Sequence, residues 1–228
     1  MIYAIGDIHG MNTMLLKLLD LIETHAEQYH PDRVKAVAFL GDYVDRGPDS
    51  KAVVETVMHT QLRGFETIAL AGNHECMMLD AILNREPTGW YESYGEETMA
   101  SYKENGVVVL PPDHIEWMQA LPVTRLEGEF LFVHAGIQLG IPLEEQDPDE
   151  LVWIREPFLR SNIDHGFRVV HGHSVTRKPV VLANRIGIDT GAVYGGSLTS
   201  VVIDLAKPRD QVPEFLRVSS HGLLDERI

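Results

Sequence analysis

One stretch of the chain decides its fold class: residues 34–47, which read VKAVAFLGDYVDRG. Val34 to Leu40 are mainly aliphatic, aromatic or small, as is typical of a buried β-strand. Gly41 ends this run and permits a sharp turn close to a bound group, and Asp42 follows it. The stretch therefore predicts a buried strand with a reactive or ligand-binding carboxylate at its carboxyl end.

Two more apolar runs end in the same way, one before this stretch and one after it. The first is Ile2 to Ile5 and the other is Phe65 to Leu70, so three strands precede three polar loops. The repetition makes a chance set of turns improbable. The three loops are Gly6-Asp7-Ile8-His9-Gly10, Gly41-Asp42-Tyr43-Val44-Asp45-Arg46-Gly47 and Gly72-Asn73-His74-Glu75.

Helices are predicted between these strands. Asn12 or Thr13 is expected to cap the first, which carries an apolar face and ends near Pro31. Pro48-Asp49 suits the start of the second, and Gly64 suits the position just after its end. The predicted apolar faces contain Met14, Leu15, Leu18, Leu19 and Ile22 in the first helix and Val53, Val54, Val57 and Met58 in the second.

Alternating strands and helices predict parallel βαβ units. The first three polar loops are spaced by roughly 30 residues or slightly more, which is the length of one such unit. Ligands of open α/β sheets bind at the carboxyl ends of the strands. We therefore expect Asp7, Asp42 and Asn73 to lie close together in space.

The second half of the chain has shorter strands and two further polar loops. His134-Ala135-Gly136 follows the strand Phe130–Val133, and His171-Gly172-His173-Ser174 follows a strand that ends at Val170. A mixed sheet, or two packed sheets with helices outside, would use all the strands. The aromatic residues 90–94 are interpreted as local packing.

Composition excludes several classes of protein. The 228 residues are 44% hydrophobic and 23% charged, which is ordinary for a globular chain. No apolar run approaches the roughly 18 residues that span a bilayer, so no membrane contact is expected. The single Cys76 excludes an internal disulfide, and we expect one domain over residues 1–228 in a reducing cytoplasm.

The charge balance limits the partners of the chain. Nineteen basic and 34 acidic residues give a formal net charge of −15. An acidic surface repels nucleic-acid backbones and anionic lipids unless bound cations reverse the local sign, so no nucleic-acid partner is expected. Aspartate, asparagine and histidine side chains suit Mn, Fe or Zn better than Ca, which prefers oxygen ligands alone.

The order and wording of the five loops resemble the phosphoprotein phosphatase family of metallophosphoesterases, most closely its compact bacterial and phage branch. The resemblance extends from Gly6 to about Tyr194. It implies an α/β fold of the calcineurin-like metallophosphoesterase type, with a central β-sandwich of mixed sheets flanked by α-helices. It also implies a hydroxide that bridges two metals and attacks phosphorus in line.

The resemblance implies the metal ligands residue by residue. Asp7 and His9 resemble ligands of the first ion, and Asp42 resembles the carboxylate that bridges both. Two divalent ions about 3.5–4 Å apart need a shared anion, so physical reasoning independently favours a bridging carboxylate. Manganese is the expected metal, with iron and zinc as alternatives. The ligands implied for the second ion are Asn73, His134 and His173.

The remaining implied roles concern the substrate. Arg46 resembles a phosphate-clamping arginine, and Arg155 a second clamp, because a guanidinium fork fits phosphate. Asn73 is also expected to contact the substrate, and Tyr194 to overhang the site. His74 resembles the general acid that protonates the leaving oxygen, with Asp45 orienting it.

Four functions remain open from the sequence. The first is a serine/threonine protein phosphatase acting on phosphoproteins, phosphopeptides and, in vitro, small phosphoesters. The second is a dinucleoside polyphosphate hydrolase of the diadenosine tetraphosphatase type, whose second loop usually reads Val-Ala-Arg-Gly; the presence of Asp45 favours the first. An inactive scaffold that binds a partner protein is disfavoured because every implied ligand is present. A nucleic-acid phosphodiesterase is disfavoured by the acidic charge.

Overall fold

The computed structural model describes residues 1–83 and 89–220, together with the backbone of residues 222–224. Its two main sheets have six strands, in the order β13-β12-β11-β1-β2-β3, and five strands, in the order β6-β7-β8-β10-β9; β4 and β5 form a small hairpin. The strands are β1 Ile2–Ile5, β2 Lys35–Phe39, β3 Phe65–Ala69, β4 Lys103–Glu104, β5 Val107–Val108, β6 Thr124–Glu127, β7 Phe130–Val133, β8 Arg168–His171, β9 Val180–Val181, β10 Arg185–Gly187, β11 Ser197–Ile203, β12 Glu214–Ser219 and β13 Gly222–Leu224. The α-helices are α1 Asn12–Tyr29, α2 Ser50–His59, α3 Asn73–Leu83, α4 Glu96–Ser101, α5 Pro112–Gln119 and α6 Pro148–Trp153.

Both sheets are mixed. Strands β1, β2 and β3 pair in parallel, as the βαβ pattern predicts, and β11 adds to β1 in the antiparallel direction. In the second sheet β7, β8 and β10 are parallel, whereas the outer strands β6 and β9 are antiparallel to their neighbours. The predicted fold class is thus confirmed.

The core lies in three layers because side chains alternate between the two faces of each strand. Ile2 and Ala4 of β1 face the second sheet and pack there with Phe130 and Phe132 of β7. Their neighbour Tyr3 faces the opposite way and packs under the helices. A third apolar cluster covers the outer face of the second sheet, so the molecule is a sheet-on-sheet sandwich between helices.

The helices α1 and α2 cover the outer face of the first sheet through the predicted apolar faces, and α3 joins the same core through Met78. Asp49 caps α2 as predicted, accepting from the backbone of Ala52. The predicted cap of α1 is wrong: its N-cap is Met11, and the side chain of Asn12 instead accepts a hydrogen bond from Thr56. The predicted position of Gly64 directly after α2 is also wrong. The helix already ends at His59, and Gly64 lies in the turn before β3.

The topology brings the ends of six strands to one edge of the sandwich. The loops after β1, β2 and β3 meet there with those after β7, β8 and β10, because parallel strands end at the same side of a sheet. In the described part of the chain, no helix has the length and apolar character needed to cross a membrane.

Candidate metal centre

The loops at this edge surround a cavity of about 350 Å³. It brings together polar residues that are far apart in the sequence, including eight of the eleven predicted to form a site; the other three are His9, Asp45 and His134. Its lining consists of Asp7, Asp42, Arg46, Asn73, His74, Met77, Tyr94, Trp153, Arg155, His173, Val175, Asp189 and Tyr194.

Asp42 is buried at the edge of the cavity lining, and its two carboxylate oxygens face different histidines. Oδ2 is 3.4 Å from Nε2 of His9, and Oδ1 is 3.3 Å from Nε2 of His134. A side chain at position 72 would collide with this carboxylate, since a Cβ there would lie 2.3 Å from Oδ1; Gly72 leaves the space. Asp42 therefore has the geometry of a bridge between two cations.

Both of these histidines are oriented by the backbone. Nδ1 of His9 donates to the Val44 carbonyl at 2.8 Å, and Nδ1 of His134 donates to the Leu40 carbonyl at 2.8 Å. Each hydrogen bond leaves Nε2 directed at Asp42 and available as a ligand. Burial lowers the pKa of His9 to about 3, so its imidazole is neutral, the form that binds metal ions.

The Nε2 atom of His134 faces two oxygen acceptors. Besides Asp42, the side-chain oxygen of Asn73 lies 3.0 Å away. Burial opposes protonation of this imidazole, but the Asp42 carboxylate outweighs it and raises the pKa of His134 to about 10. The oxygens of Asp42 and Asn73 therefore stabilise a positive charge at Nε2 of His134, which either a proton on the ring or a bound cation can supply.

His173, after β8, and Asp7, after β1, line the cavity next to each other, and Asp7 belongs to neither of the two ligand groups described below. Nε2 of His173 is buried and has no hydrogen-bond partner in the described residues. Burial lowers the pKa of His173 to about 3. The backbone N–H of His173 donates to both carboxylate oxygens of Asp7, at 3.0 and 3.1 Å. Burial and the neighbouring Asp189 carboxylate raise the pKa of Asp7 well above its usual range.

These donors fit divalent cations. Two groups of three ligand atoms, each group with its atoms within 4.8 Å of one another, share Asp42: one adds His9 and His74, the other His134 and His173. Mn, Fe and Zn bind neutral imidazole nitrogens together with carboxylate oxygens. The site offers both, in the imidazoles of His9 and His173 and the carboxylate of Asp42. The backbone also shows strain at the site, where non-glycine residues adopt a positive φ: His9, Asp42, Asp45, Arg46 and His173.

His74 forms a close pair with Asp45. Nδ1 of His74 lies 2.6 Å from Oδ2 of Asp45, and both side chains are buried. The backbone N–H of His74 donates to Oδ1 of Asp42 at 3.1 Å, which fixes the start of α3 beside the cavity. Because Nδ1 is engaged, only Nε2 of His74 is available to a substrate or a cation.

Arg46 projects into the cavity between two aromatic rings. Its guanidinium carbon lies 5.5 Å from the ring centre of Tyr94 and 5.9 Å from that of Tyr194, both within cation–π range. The guanidinium also contacts Nε2 of His9, a contact that a cation at that nitrogen would replace. Arg155 is exposed and lines the same cavity, so two guanidinium groups are available to an anion.

Glu75, for which no role was predicted, holds the ends of β2 and β3 together. Its carboxylate accepts hydrogen bonds from the backbone N–H groups of Asp42, Tyr43, Val44 and Gly72, at 2.7 to 3.2 Å. Burial and the nearby Asp42 raise the pKa of Glu75 to about 7. The loops after β2 and β3 are therefore tied to one side chain.

The aromatic residues 90–94 do more than the local packing expected of them. Trp90 donates from Nε1 to Oδ2 of Asp45 at 2.8 Å, and Tyr94 lines the cavity beside His74. Asp189 was missed: it also follows a strand, β10, but Ile188 separates it from Gly187, so the direct glycine–polar pattern of the first three strand ends is absent. Nothing in the local sequence around Trp90 carries such a signal.

Comparison with known proteins gives a consistent family. The model of the calcineurin-like phosphoesterase family matches residues 1–211. Serine/threonine-protein phosphatase 1 of Salmonella typhimurium is 28% identical over 206 residues, covering 87% of this chain and 89% of the relative. The asymmetrical bis(5'-nucleosyl)-tetraphosphatase PrpE of Geobacillus thermodenitrificans is also 28% identical, over 252 residues that cover 95% of this chain and 98% of the relative.

The fold is likewise shared with solved structures. A crystal structure of a candidate diadenosine tetraphosphatase aligns with a TM-score of 0.70 and 22% identity, covering 96% of this chain and 92% of that one. At this identity the likeness shows the fold alone.

Proposed function

The chain belongs to the calcineurin-like phosphoesterase family, and from that premise we propose that it is a metal-dependent phosphomonoesterase acting on phosphoserine and phosphothreonine in proteins or peptides. The family makes it a hydrolase of phosphoesters. The two relatives described above act on different substrates by name and are equally similar to this chain. The choice between a protein phosphatase and a dinucleoside tetraphosphatase therefore depends on the chemistry of the residues around the cavity.

The observation that carries the proposal is the buried pair of His74 and Asp45, 2.6 Å apart. A serine or threonine alkoxide is a poor leaving group, so breaking its P–O bond requires a proton at the ester oxygen. A positioned general acid is worth about 10²–10⁴-fold in such a step. When a dinucleoside tetraphosphate is hydrolysed, the nucleotide leaves as a stabilised phosphate anion. This leaving group depends far less on a proton from a general acid. A carboxylate-oriented histidine at the cavity wall thus favours the alkyl phosphoester.

The other cavity residues have roles that follow from their chemistry. Two divalent cations held by Asp7, His9, Asp42, Asn73, His134 and His173 would polarise the phosphoryl oxygens and lower the pKa of water. Arg46 and Arg155 are suited to bind the two free phosphoryl oxygens, since a guanidinium matches phosphate bidentately. As a water oxygen bonds to phosphorus and the ester P–O bond breaks, the electron pair of the broken bond leaves on the alkyl oxygen, which takes a proton from Nε2 of His74. We propose manganese as the metal, with iron or zinc as alternatives.

A second candidate is the hydrolysis of dinucleoside tetraphosphates. It is favoured by the aromatic rings at the cavity mouth, because Tyr94, Trp153 and Tyr194 are exposed by 38%, 43% and 62%. Exposed aromatic rings beside a phosphate site can stack a nucleobase. Tyr94 and Tyr194 already contact Arg46, however, and so have a function in the first proposal as well.

The test compares two substrates on one preparation. The manganese-loaded protein is assayed with a phosphothreonine peptide and with diadenosine tetraphosphate, and kcat/KM is measured for each. We expect the peptide to be the better substrate. A higher kcat/KM for the dinucleotide would replace the first proposal by the second. The variant Asp42→Asn, purified in parallel, controls for contaminating phosphatases because it should lose both activities.

A further inference from the structure

The segment that follows the described end of α3 reaches back to the catalytic pair. A single turn of π-helix, Tyr91–Gly95, continues into α4, and π-turns are frequent at functional sites. Trp90, just before this turn, is only 3% exposed. Its indole ring packs so closely on Gly95 that a Cβ there would lie 2.8 Å from the ring. The indole is therefore held in one orientation.

Two donors from this segment end on the carboxylate of Asp45. Nε1 of Trp90 donates to Oδ2 at 2.8 Å, and the hydroxyl of Thr98 donates to Oδ1 at 2.7 Å. Together with Nδ1 of His74 at 2.6 Å, three hydrogen bonds fix the carboxylate in its plane. All four side chains are buried, where such bonds are strong and an unmade one is costly.

The other contacts of the Thr98 hydroxyl leave its proton to be donated to the carboxylate of Asp45. It accepts a hydrogen bond from the backbone N–H of Asp45 at 2.8 Å, and Oγ of Ser50 lies 3.1 Å away. A hydroxyl has one proton to give, and here the carboxylate receives it. The backbone of Asp45 has φ of 72°, a conformation that residues with side chains rarely adopt. Thr98 thus holds both the strained backbone and the carboxylate.

We infer that the indole N–H of Trp90 and the hydroxyl of Thr98 are positioning groups for His74: by fixing Asp45 they aim Nε2 of His74 at the leaving oxygen. Neither group lines the cavity, so neither touches the substrate. The inference rests on the proposed function, since it assigns the residues that make the general acid effective. It also gives the segment from Trp90 to Thr98 a catalytic purpose that its sequence does not reveal.

The test uses two aryl phosphates that differ in leaving group. p-Nitrophenyl phosphate leaves readily without a proton, whereas phenyl phosphate depends on one. Trp90→Phe removes one donor while keeping an aromatic ring, and Thr98→Val removes the other while keeping the shape. In each variant we expect kcat for phenyl phosphate to fall about 10-fold or more, kcat for p-nitrophenyl phosphate to fall less than about threefold, and KM to stay constant.

Matched variants separate positioning from structural damage. Thr98→Ser restores the hydroxyl and should restore kcat for phenyl phosphate. Trp117→Phe makes the same change at a half-buried tryptophan that packs on Tyr43, 5.5 Å away, and should behave as the unmodified protein. If Trp90→Phe does not fold, as judged by circular dichroism, the serine and valine variants of Thr98 decide the question.

Two results would overturn the inference. One is an equal loss of kcat on both aryl phosphates, which indicates general damage, and the other is no loss on phenyl phosphate. Failure of the proposed function looks different: the unmodified, manganese-loaded protein would then have a higher kcat/KM for diadenosine tetraphosphate than for the phosphothreonine peptide, whatever the variants do to the two aryl phosphates. The two failures are therefore distinguishable in one set of assays.

Discussion

The carboxylate of Glu75 accepts a 2.7 Å hydrogen bond from the backbone N–H of Tyr43. This contact joins the first turn of α3 to the loop after β2, which carries Asp42, Asp45 and Arg46. Three more backbone donors end on the same carboxylate, two on each oxygen in all. The last residue of the third polar loop therefore shapes the second loop, and the candidate metal centre depends on a side chain that does not line the cavity.

Replacing this carboxylate by an amide should destabilise the protein. In Glu75→Gln, either orientation of the amide puts its NH₂ group opposite two backbone N–H groups, which lose their acceptor. At about 1–3 kcal/mol for each buried donor left without a partner, two such donors cost about 2–6 kcal/mol. We expect the free energy of unfolding, measured by urea denaturation of the metal-free protein, to fall by about that amount.

The matched control for this change is Glu55→Gln, because Glu55 is an exposed glutamate on α2. It should leave the free energy of unfolding within about 0.5 kcal/mol of the original value. Equal stabilities of the two variants would show that the amide is accommodated and that the four hydrogen bonds to Glu75 contribute little.

The strands and most of the site could be predicted because they depend on local patterns. Apolar runs that end in glycine and a polar residue fix the parallel strand ends, so Asp7, Asp42 and Asn73 had to meet. Trp90 and Thr98 could not be found in this way. Their role depends on how a turn that follows α3 packs against Asp45, and that packing is set by tertiary contacts rather than by any motif.

The cap of α1 and the role of Glu75 show two other limits. Asn12 is a good capping residue, yet its side chain is used by Thr56 of α2, a contact between helices that the local sequence does not encode. Glu75 lay inside a quoted motif, but its acidic side chain at a helix start was also compatible with simple solvent exposure. Burial of a charged group is a property of the packed fold.

Neutralising the bridge should remove the metal rather than merely slow turnover. In Asp42→Asn the amide cannot offer two anionic oxygens, one toward His9 and one toward His134. We expect the purified variant to lose at least one of two equivalents of manganese, as measured by elemental analysis after dialysis. Asp49→Asn, at the cap of α2, is the control and should keep full metal content. Full occupancy in Asp42→Asn would contradict the bridging assignment.

Replacing His74 distinguishes a general acid from a ligand, since a ring nitrogen of His74 lies within 4.8 Å of ligand atoms of His9 and Asp42. In His74→Asn we expect kcat for a phosphothreonine peptide to fall about 10²–10⁴-fold while metal content is unchanged. A variant that binds less metal would identify His74 as a ligand. A kcat within a few-fold of the original would exclude it as the acid.

The last prediction concerns stability at acidic pH, away from the metal centre. His114 on α5 is buried, with Nδ1 3.0 Å from the hydroxyl of Tyr102. Burial lowers its pKa in the folded protein, although Asp113 and Glu55 oppose this, whereas in the unfolded chain it titrates near about 6.5. As the pH falls below that value the unfolded chain takes up the proton first, so this contribution to stability is present above about pH 6.5 and is lost below it.

In His114→Gln this proton uptake is absent, so its free energy of unfolding should decline less steeply between about pH 7 and 5 than that of the unmodified protein. The difference in slope is at most about 1.4 kcal/mol per pH unit. Both proteins are unfolded with urea in the presence of EDTA. Because EDTA removes bound metal ions from both, the cavity histidines contribute equally to the pH dependence of the two proteins. Parallel curves would show that His114 is protonated equally in both states, which its burial against Tyr102 argues against.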